Sequence, residues 1–370
     1  MAGRRFRVFG GEHSRNHAVV RVPEMPFEAP VWVVDESSGA AYPAQPDGGS
    51  LVFIVERLEA GASRTFRVYE HSVELPGVHF REEPEAVEVL LGDRPFTRLL
   101  YGSDYYRPHF YPVYGPEGKE VTETAPSDHV HHRSLYVAYG EVNGEDFWSE
   151  HPARAGRVVV QKLQTVSGPV YGEVALETVW QSAAGRPVLT NDQVWRVYNL
   201  PEFRRVIEAT IRFRATEGPV HFGDTKEGGI ISVRVAAPIR VRETGRIENS
   251  FGGVNEAETW GKRAQWCDYS GTVEGVRLGI AVLDHLENPR HPCHWHVRNY
   301  GLMATNVFGR GTFERGRRLL DGDGSYTLPA GEALSFRYQV VVHAGDARAA
   351  DIAGAYHNFV FPPRVELIEG

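Results

Sequence analysis

Apolar and polar residues alternate with a period of two along most of this chain. The runs FRVFGG, HAVVRV, APVWVVDE, SLVFIVERL and SRTFRVYEHSVEL open the series, and EAVEVLLG, RSLYVAYGEV, GRVVVQKLQTV, GEVALETVWQS and QVWRVYNL continue it. FRRVIEATIRFRA, IISVRVAAPIRVRET, TVEGVRLGIAVLD and LSFRYQVVVHAG complete it. Successive side chains of a strand point to opposite faces, so this period marks strands buried on one side. Turn residues punctuate the runs: 39 Gly and 23 Pro, in segments such as SSGA, PDGGS, NGED and SAAGRP. The expected fold is all-β and antiparallel. Helix is expected in RAADIAGAYHNFVF and, as a short turn, around NEAETWGKRA.

So many strands without a repeat of roughly 40 residues favour two large stacked sheets, a supersandwich, over a propeller. The pattern divides at PGVHFREEPEAV. Residues 1–75 read as a small β-sandwich-like module, and residues 76–370 as a large supersandwich domain carrying the chemistry.

Composition narrows the partners. The 370 residues are 42% hydrophobic, and 40 Lys and Arg against 48 Asp and Glu give a net charge of -8 with no dense basic block. That balance argues against nucleic acid and suits a small, weakly polar molecule. The start MAGRRFRVFGG lacks the apolar core of a signal peptide, and no stretch reaches the ~20 apolar residues of a spanning helix. A cytoplasmic protein without membrane contact is expected, with Cys267 and Cys293 as reduced thiols. A disulfide between them stays open, as does the choice between monomer and homo-oligomer.

Reactive side chains concentrate in three stretches, and AYHNFVFP, with His357 and Asn358, is a weaker fourth that a carboxyl-terminal helix packing on a sheet explains. RPHFYPVYGPEGKEVTETAPSDHVHHRS holds Arg107, His109, Tyr111, Tyr114, Asp128, His129, His131, His132 and Arg133. Read as a strand, it points His129 and His131 to one side and His132 to the other. Such a pair can hold a divalent metal at the ~2.1 Å of a metal–nitrogen bond, or contact a sugar hydroxyl. HFGDTKEGGIISVRV crowds Asp224, Lys226 and Glu227 ahead of Gly228 and Gly229, whose missing side chains allow close approach of a ligand. Opposite charges this close tune each other's protonation, as general acids and bases require. The third stretch runs from QWCDYSG, with Asp268, to DHLENPRHPCHWHVRNYGLMATNVFG, with His294, Trp295, His296, Arg298 and Asn306. Imidazole, amide, guanidinium and aromatic groups at this density suit a saccharide, whose C–H faces stack on rings while its hydroxyls hydrogen-bond in both directions.

The phosphate-cradling, dinucleotide, HExxH, GxSxG and CxxC signatures are absent from the sequence, so no nucleotide or flavin cofactor is expected. What remains is acid/base chemistry by histidine, carboxylate, tyrosine and Lys226, with or without one divalent metal ion.

Over residues 107–361 the chain resembles a bacterial family of unknown function whose members often carry the label "methane oxygenase PmoA". The resemblance rests on RPHFYPVYGPEGKEVT, DHVHHRSLYVAYGEVNGEDFW, GDTKEGGIISVRV, WCDYSG, DHLENPRHPCHWHVRNYGLMATNVFG and YHNFVFP, and the early strands resemble that family's amino-terminal β module. Where the family commonly has HHRG, this chain has His132, Arg133 and Ser134. A membrane oxygenase subunit would need a spanning segment, which is missing, so that label is set aside. The resemblance implies a carbohydrate-utilisation setting and a galactose-mutarotase-like supersandwich, without fixing any residue's role.

Together these readings point to a carbohydrate-active enzyme acting on a sugar or oxidised (keto) glycoside by elimination, hydrolysis or epimerisation. His129 and His131 are cast as metal ligands or proton donors, Glu227 or Lys226 as the base beside Asp224. Arg107, His109, Tyr111, His132, Arg133, Asp268, His294, Trp295, His296, Arg298 and Asn306 are cast as substrate contacts. The alternative is a non-catalytic sugar-binding accessory protein.

Overall fold

A computed structural model describes residues 4–71, 73–314 and 323–368. Two eight-stranded antiparallel sheets form its centre. In the front sheet the strand order is His294–Val297, Leu302–Asn306, Gly228–Arg234, Leu135–Tyr139, His109–Val113, Arg94–Leu100, Ala86–Leu91, Val78–Glu83. In the back sheet it is Arg157–Val166, Tyr171–Gln181, Pro187–Tyr198, Arg204–Arg214, Ala333–Ala344, Val276–Asp284, Trp266–Val273, Arg246–Asn249.

The period-two pattern sets what lies between them. Ile207, Ala209, Ile211 and Phe213 of one back strand meet Val137, Val233, Trp295 and Met303 of the front sheet in one continuous core. Each large apolar side chain buried there contributes about 1.5–3 kcal/mol.

The amino-terminal residues make a third, seven-stranded sheet: Arg15–Val22, Ser50–Leu58, Ala41–Asp47, Val31–Asp35, Ser63–Tyr69, Arg5–Phe9, Arg364–Ile368. Its last strand comes from the far end of the chain and pairs in register with Arg5–Phe9. Phe6, Phe53 and Phe66 centre its own core. With helix Ile352–Val360, capped by Asp351 accepting from the Gly354 amide at 3.1 Å, this sheet covers the back sheet's outer face: Val52 and Phe359 meet Tyr198, Val206 and Val341. The layers therefore run amino-terminal sheet, back sheet, front sheet. Val220–Phe222 and Tyr326–Leu328 form a separate two-stranded sheet, and among the described residues none of the larger sheets covers the outer face of the front sheet.

Both expected helices occur, as Ile352–Val360 and Asn255–Thr259, and a short one at Arg310–Phe313 is added. The run IISVRVAAPIRVRET stops being a strand at Arg234: Ala237–Ile239 is a 3₁₀ turn, and turns follow it. Pro238 removes the amide a ladder would need. Conversely, HWHV and LMATN, which the period-two series does not include, are paired strands. Cys267 and Cys293 are free, buried thiols. Among the described residues no helix is long and apolar enough to cross a membrane.

Candidate functional site

One cross-strand row forms the floor of the site. His109 lies opposite Tyr136, Tyr136 opposite Ser232, Ser232 opposite Ala304, and Ala304 opposite His296. Their neighbours in sequence, Leu135, Val233, Met303 and Trp295, face the inter-sheet core, so this row faces outward. Four inter-strand spacings separate its two histidines, about 19 Å.

A loop over residues 123–134 hangs on this floor through two buried arginines. Arg234 is wholly buried, its Nε lies 2.8 Å from Glu123 Oε1, and its Nη2 donates to both oxygens of Asp128 at 2.8 and 2.9 Å. Its Nη1 stands 3.2 Å from His132 Nδ1. A second buried arginine, Arg107, donates to the carbonyls of His131 at 3.1 Å and Trp148 at 2.8 Å, fixing the loop from the other side. Arg133 grips Glu150, with Nε at 2.9 Å from Oε1. Burial pushes the Glu150 carboxyl up, but Arg133 and Arg107 outweigh it and hold it below the usual carboxylate range.

These anchors make residues 125–133 a series of turns rather than a strand, which corrects the expected alternation. The His132 and His129 rings stack at 4.6 Å, and His131 meets His132 edge-on at 4.5 Å. Tyr300 stacks on His129 at 4.5 Å and lies 6.1 Å from the His132 ring, with the guanidinium groups of Arg234 and Arg298 over it. Trp148 packs edge-on against His132 at 5.8 Å. All three histidines thus belong to one aromatic cluster.

Hydrogen bonds assign the tautomers. An arginine only donates, so His132 Nδ1 accepts and Nε2 carries the proton. A carbonyl only accepts, so His296 Nδ1, 2.6 Å from the Lys226 oxygen, donates and leaves Nε2 as a lone pair. His109 does the same toward the Arg107 carbonyl at 3.2 Å. Burial lowers His109 and His296 to about 4 and also lowers His131 and His132, so these rings are neutral at pH 7. Burial raises the Tyr300 phenol to about 12. The negative charge of Glu227, in contact with Lys226, acts on His131, His296 and Tyr300 together.

The structure therefore gathers His129, His131, His132, His296, Lys226, Glu227 and Arg298 around Tyr300, with Arg107 and Arg133 as the frame. Other expected contacts have different work. Asp224 accepts backbone amides of Gly311, Thr312 and Gly324 at 2.6, 3.0 and 2.6 Å, holding the Arg310–Phe313 turn. Asn306 donates to the Thr225 carbonyl at 2.8 Å and accepts from Gly309 at 2.7 Å, so it too is a loop anchor. Trp295 lies in the inter-sheet core, its indole donating to Ala264. Asp268 is a back-sheet residue, fully buried 2.7 Å from His343. Tyr111 stands beside Glu120. His294 faces outward like His296 but turns to Glu314, 3.2 Å away, at a groove shared with Phe313 and Lys262. Gly228 and Gly229 serve a bulge: a Cβ on Gly229 would meet Ser232 Oγ at 2.1 Å, and one on Gly228 the Tyr139 ring.

Sequence reasoning did not cast Arg234, Tyr300, Trp148 or Trp260 as site residues. An arginine in the apolar run IISVRV was the available signal for the first, because a guanidinium buried in a sheet needs anions around it. As for a metal, His129 and His131 supply two imidazoles, but Asp128 beside them is held by Arg234. Among the described residues no group of three or more His, Cys, Asp or Glu is placed to hold an ion.

Fold and site define an all-β protein of stacked antiparallel sheets whose front face carries a cluster of histidines and aromatic rings. Residues 86–357 match a family described only as a family of unknown function (DUF6807), and the chain belongs to it. No curated protein matches the chain. Among solved structures it is similar to an alpha-mannosidase from Enterococcus faecalis V583, at 9% identity and TM-score 0.47, over all of this chain and 46% of that one. It is likewise similar to a protein in the glycosyl hydrolase family 38 from Enterococcus faecalis, at 9% identity and TM-score 0.46, over all of this chain and 48% of that one. The chain spans about half the length of either.

Proposed function

We propose that the front-sheet face binds a saccharide or glycoside and carries out proton transfer on it. One observation carries this reading: Nε2 of His109, Nε2 of His296 and the indole N–H groups of Trp148 and Trp260 are buried on this side of the sheet without a partner among the described residues. Polar atoms removed from water cost free energy unless hydrogen-bonded. A ligand carrying several hydroxyls supplies both donors and acceptors, and its C–H surface fits the faces of Tyr300 and the histidines.

Within this reading neutral His131 takes a proton from carbon, hydroxyl or water, and Glu227 stabilises the imidazolium that forms. His132 Nε2–H and Arg298 hold substrate oxygens. Elimination and epimerisation begin with such a removal, from carbon or from a hydroxyl. Hydrolysis takes the proton from the attacking water and also needs an acid to protonate the leaving oxygen, and no step is assigned to a metal. The test is incubation with glucosides and 3-keto-glucosides followed by mass spectrometry. His131→Ala and Glu227→Gln are each expected to lower turnover at least ~100-fold with the fold intact. Near-wild-type turnover on a confirmed substrate would remove both assignments.

A second reading, a saccharide-binding protein without turnover, is favoured by the fate of the carboxylates. Asp128 and Glu123 are held by Arg234, Glu150 by Arg133 and Glu227 by Lys226. Binding without change of mass across the same panel selects it.

A further inference from the structure

A cavity of about 290 Å³ lies on the opposite side of the molecule, in the seam between the amino-terminal sheet, the outer face of the back sheet and helix Ile352–Val360. Its wall changes character along the strand Arg204–Arg214. Arg204 stands at one end, Val206 in the middle with Leu200 and Phe359, and Glu208 at the other. These alternate residues share one face, and four residues of strand span about 13 Å.

The charges at the Glu208 end are matched. Arg337 Nη2 lies 3.2 Å from Glu208 Oε1, and the Tyr198 hydroxyl donates to Oε2 at 3.0 Å. At the rim Arg21 and Arg196 share Asp47, and Arg196 also holds Glu173. Arg204 is different. It is buried at 7% exposure and its guanidinium donates to the Ala350 carbonyl, yet among the described residues no carboxylate lies within 4.0 Å of it. The acid whose charge reaches it, Asp351, is occupied in capping the helix. A buried guanidinium without an anion is costly. Here it lines a cavity.

We propose that this seam binds a small organic monocarboxylate, its carboxylate on the Arg204 fork and its body against Val206, Leu200 and Phe359. The planar guanidinium matches a carboxylate in two-point geometry. A single unmatched cation, an apolar middle and an acid at the far end disfavour a polyanion such as phosphate. The ~13 Å between the two charged positions, less the reach of their side chains, suits an acid of about four to six carbons. A hydroxyl at its far end would meet Gln339 and Tyr198, which also line the cavity. Occupancy would tie the helix and the amino-terminal sheet to the back sheet, away from the front face.

The experiment is thermal unfolding and titration calorimetry of the whole chain in chloride-free buffer. The probes are butyrate, 4-hydroxybutyrate and hexanoate, with butyramide, chloride and phosphate as controls. At least one acid is expected to raise the Tm and bind, and butyramide is not. Arg204→Met should fold at least as well as wild type without ligand and bind that acid at least ~tenfold more weakly. Val206→Phe, which fills the cavity while keeping the arginine, should weaken it likewise, whereas His296→Gln on the front face should not. The proposal is overturned if none of the acids binds wild type, if binding survives Arg204→Met and Val206→Phe, if Arg204→Met is unfolded, or if chloride or phosphate protects equally.

Discussion

Arg234 reaches His132 through a single hydrogen bond, Nη1 to Nδ1 at 3.2 Å, and so decides which ring nitrogen of that histidine faces outward with a proton. The same guanidinium holds Glu123 and Asp128, so one buried side chain fixes one side of the 123–134 loop while Arg107 fixes the other.

Arg234→Met is therefore expected to cost about 1–3 kcal/mol of stability, because Asp128 and His132 lose their partner while Glu123 keeps Arg240. Nitrogen NMR of the histidine rings is the finer check. Wild-type His132 should show the Nε2–H tautomer at pH 7, and the variant should lose that preference. An unchanged tautomer in the variant would remove Arg234 as the positioning group.

The two buried histidines at the ends of the floor make the fold acid-sensitive. Below the ordinary histidine value of 6.5, the unfolded chain takes up protons at His109 and His296 that the folded protein, at about 4, refuses. Stability should thus fall as the pH drops from about 6.5 toward about 4, by up to about 3 kcal/mol for each ring. Urea unfolding at pH 7 and pH 5 measures this. The double variant His109→Gln, His296→Gln should give a flatter profile, and an equally steep one would place the sensitivity elsewhere.

Asp224 offers a control for the catalytic assignments. Replacing it with Ala removes the acceptor of three backbone amides and should cost about 1–3 kcal/mol. Faster hydrogen exchange at Gly311 and Thr312 is the expected signature. A loss of turnover as large as that of Glu227→Gln, without faster exchange, would return Asp224 to the chemistry.

Cys267 and Cys293 are fully buried, and burial pushes both thiols well above their ordinary value. Neither should react with Ellman's reagent in the native protein, and both should react in urea. Prompt labelling of one would contradict its place in the core.

The architecture was legible because burial between two sheets imposes a period-two pattern that a sequence displays directly. It failed where strands are short. Strands His294–Val297 and Leu302–Asn306 are only four and five residues long, too short to show an alternation, and in His294–Val297 the inward Trp295 stands between two histidines. The histidines at 129, 131 and 132 were visible as a cluster, but their geometry depends on Arg107 and Arg234, which are distant in sequence. Spacing within a strand therefore misassigned His132 to the other face. Asp224, Asp268 and Asn306 looked reactive because sequence does not distinguish a carboxylate that meets a ligand from one consumed by backbone amides or a buried histidine.

The pairing of Arg5–Phe9 with Arg364–Ile368 sets a timetable for synthesis. Six strands of the amino-terminal sheet leave the ribosome early, but the partner for the first of them follows only after some 360 further residues, tens of seconds at 5–20 residues per second. Throughout that interval one edge of the nascent sheet offers unpaired amides and carbonyls to any passing strand. The closing strand thus doubles as a late seal, and a nascent chain stalled before it is the species most exposed to aggregation.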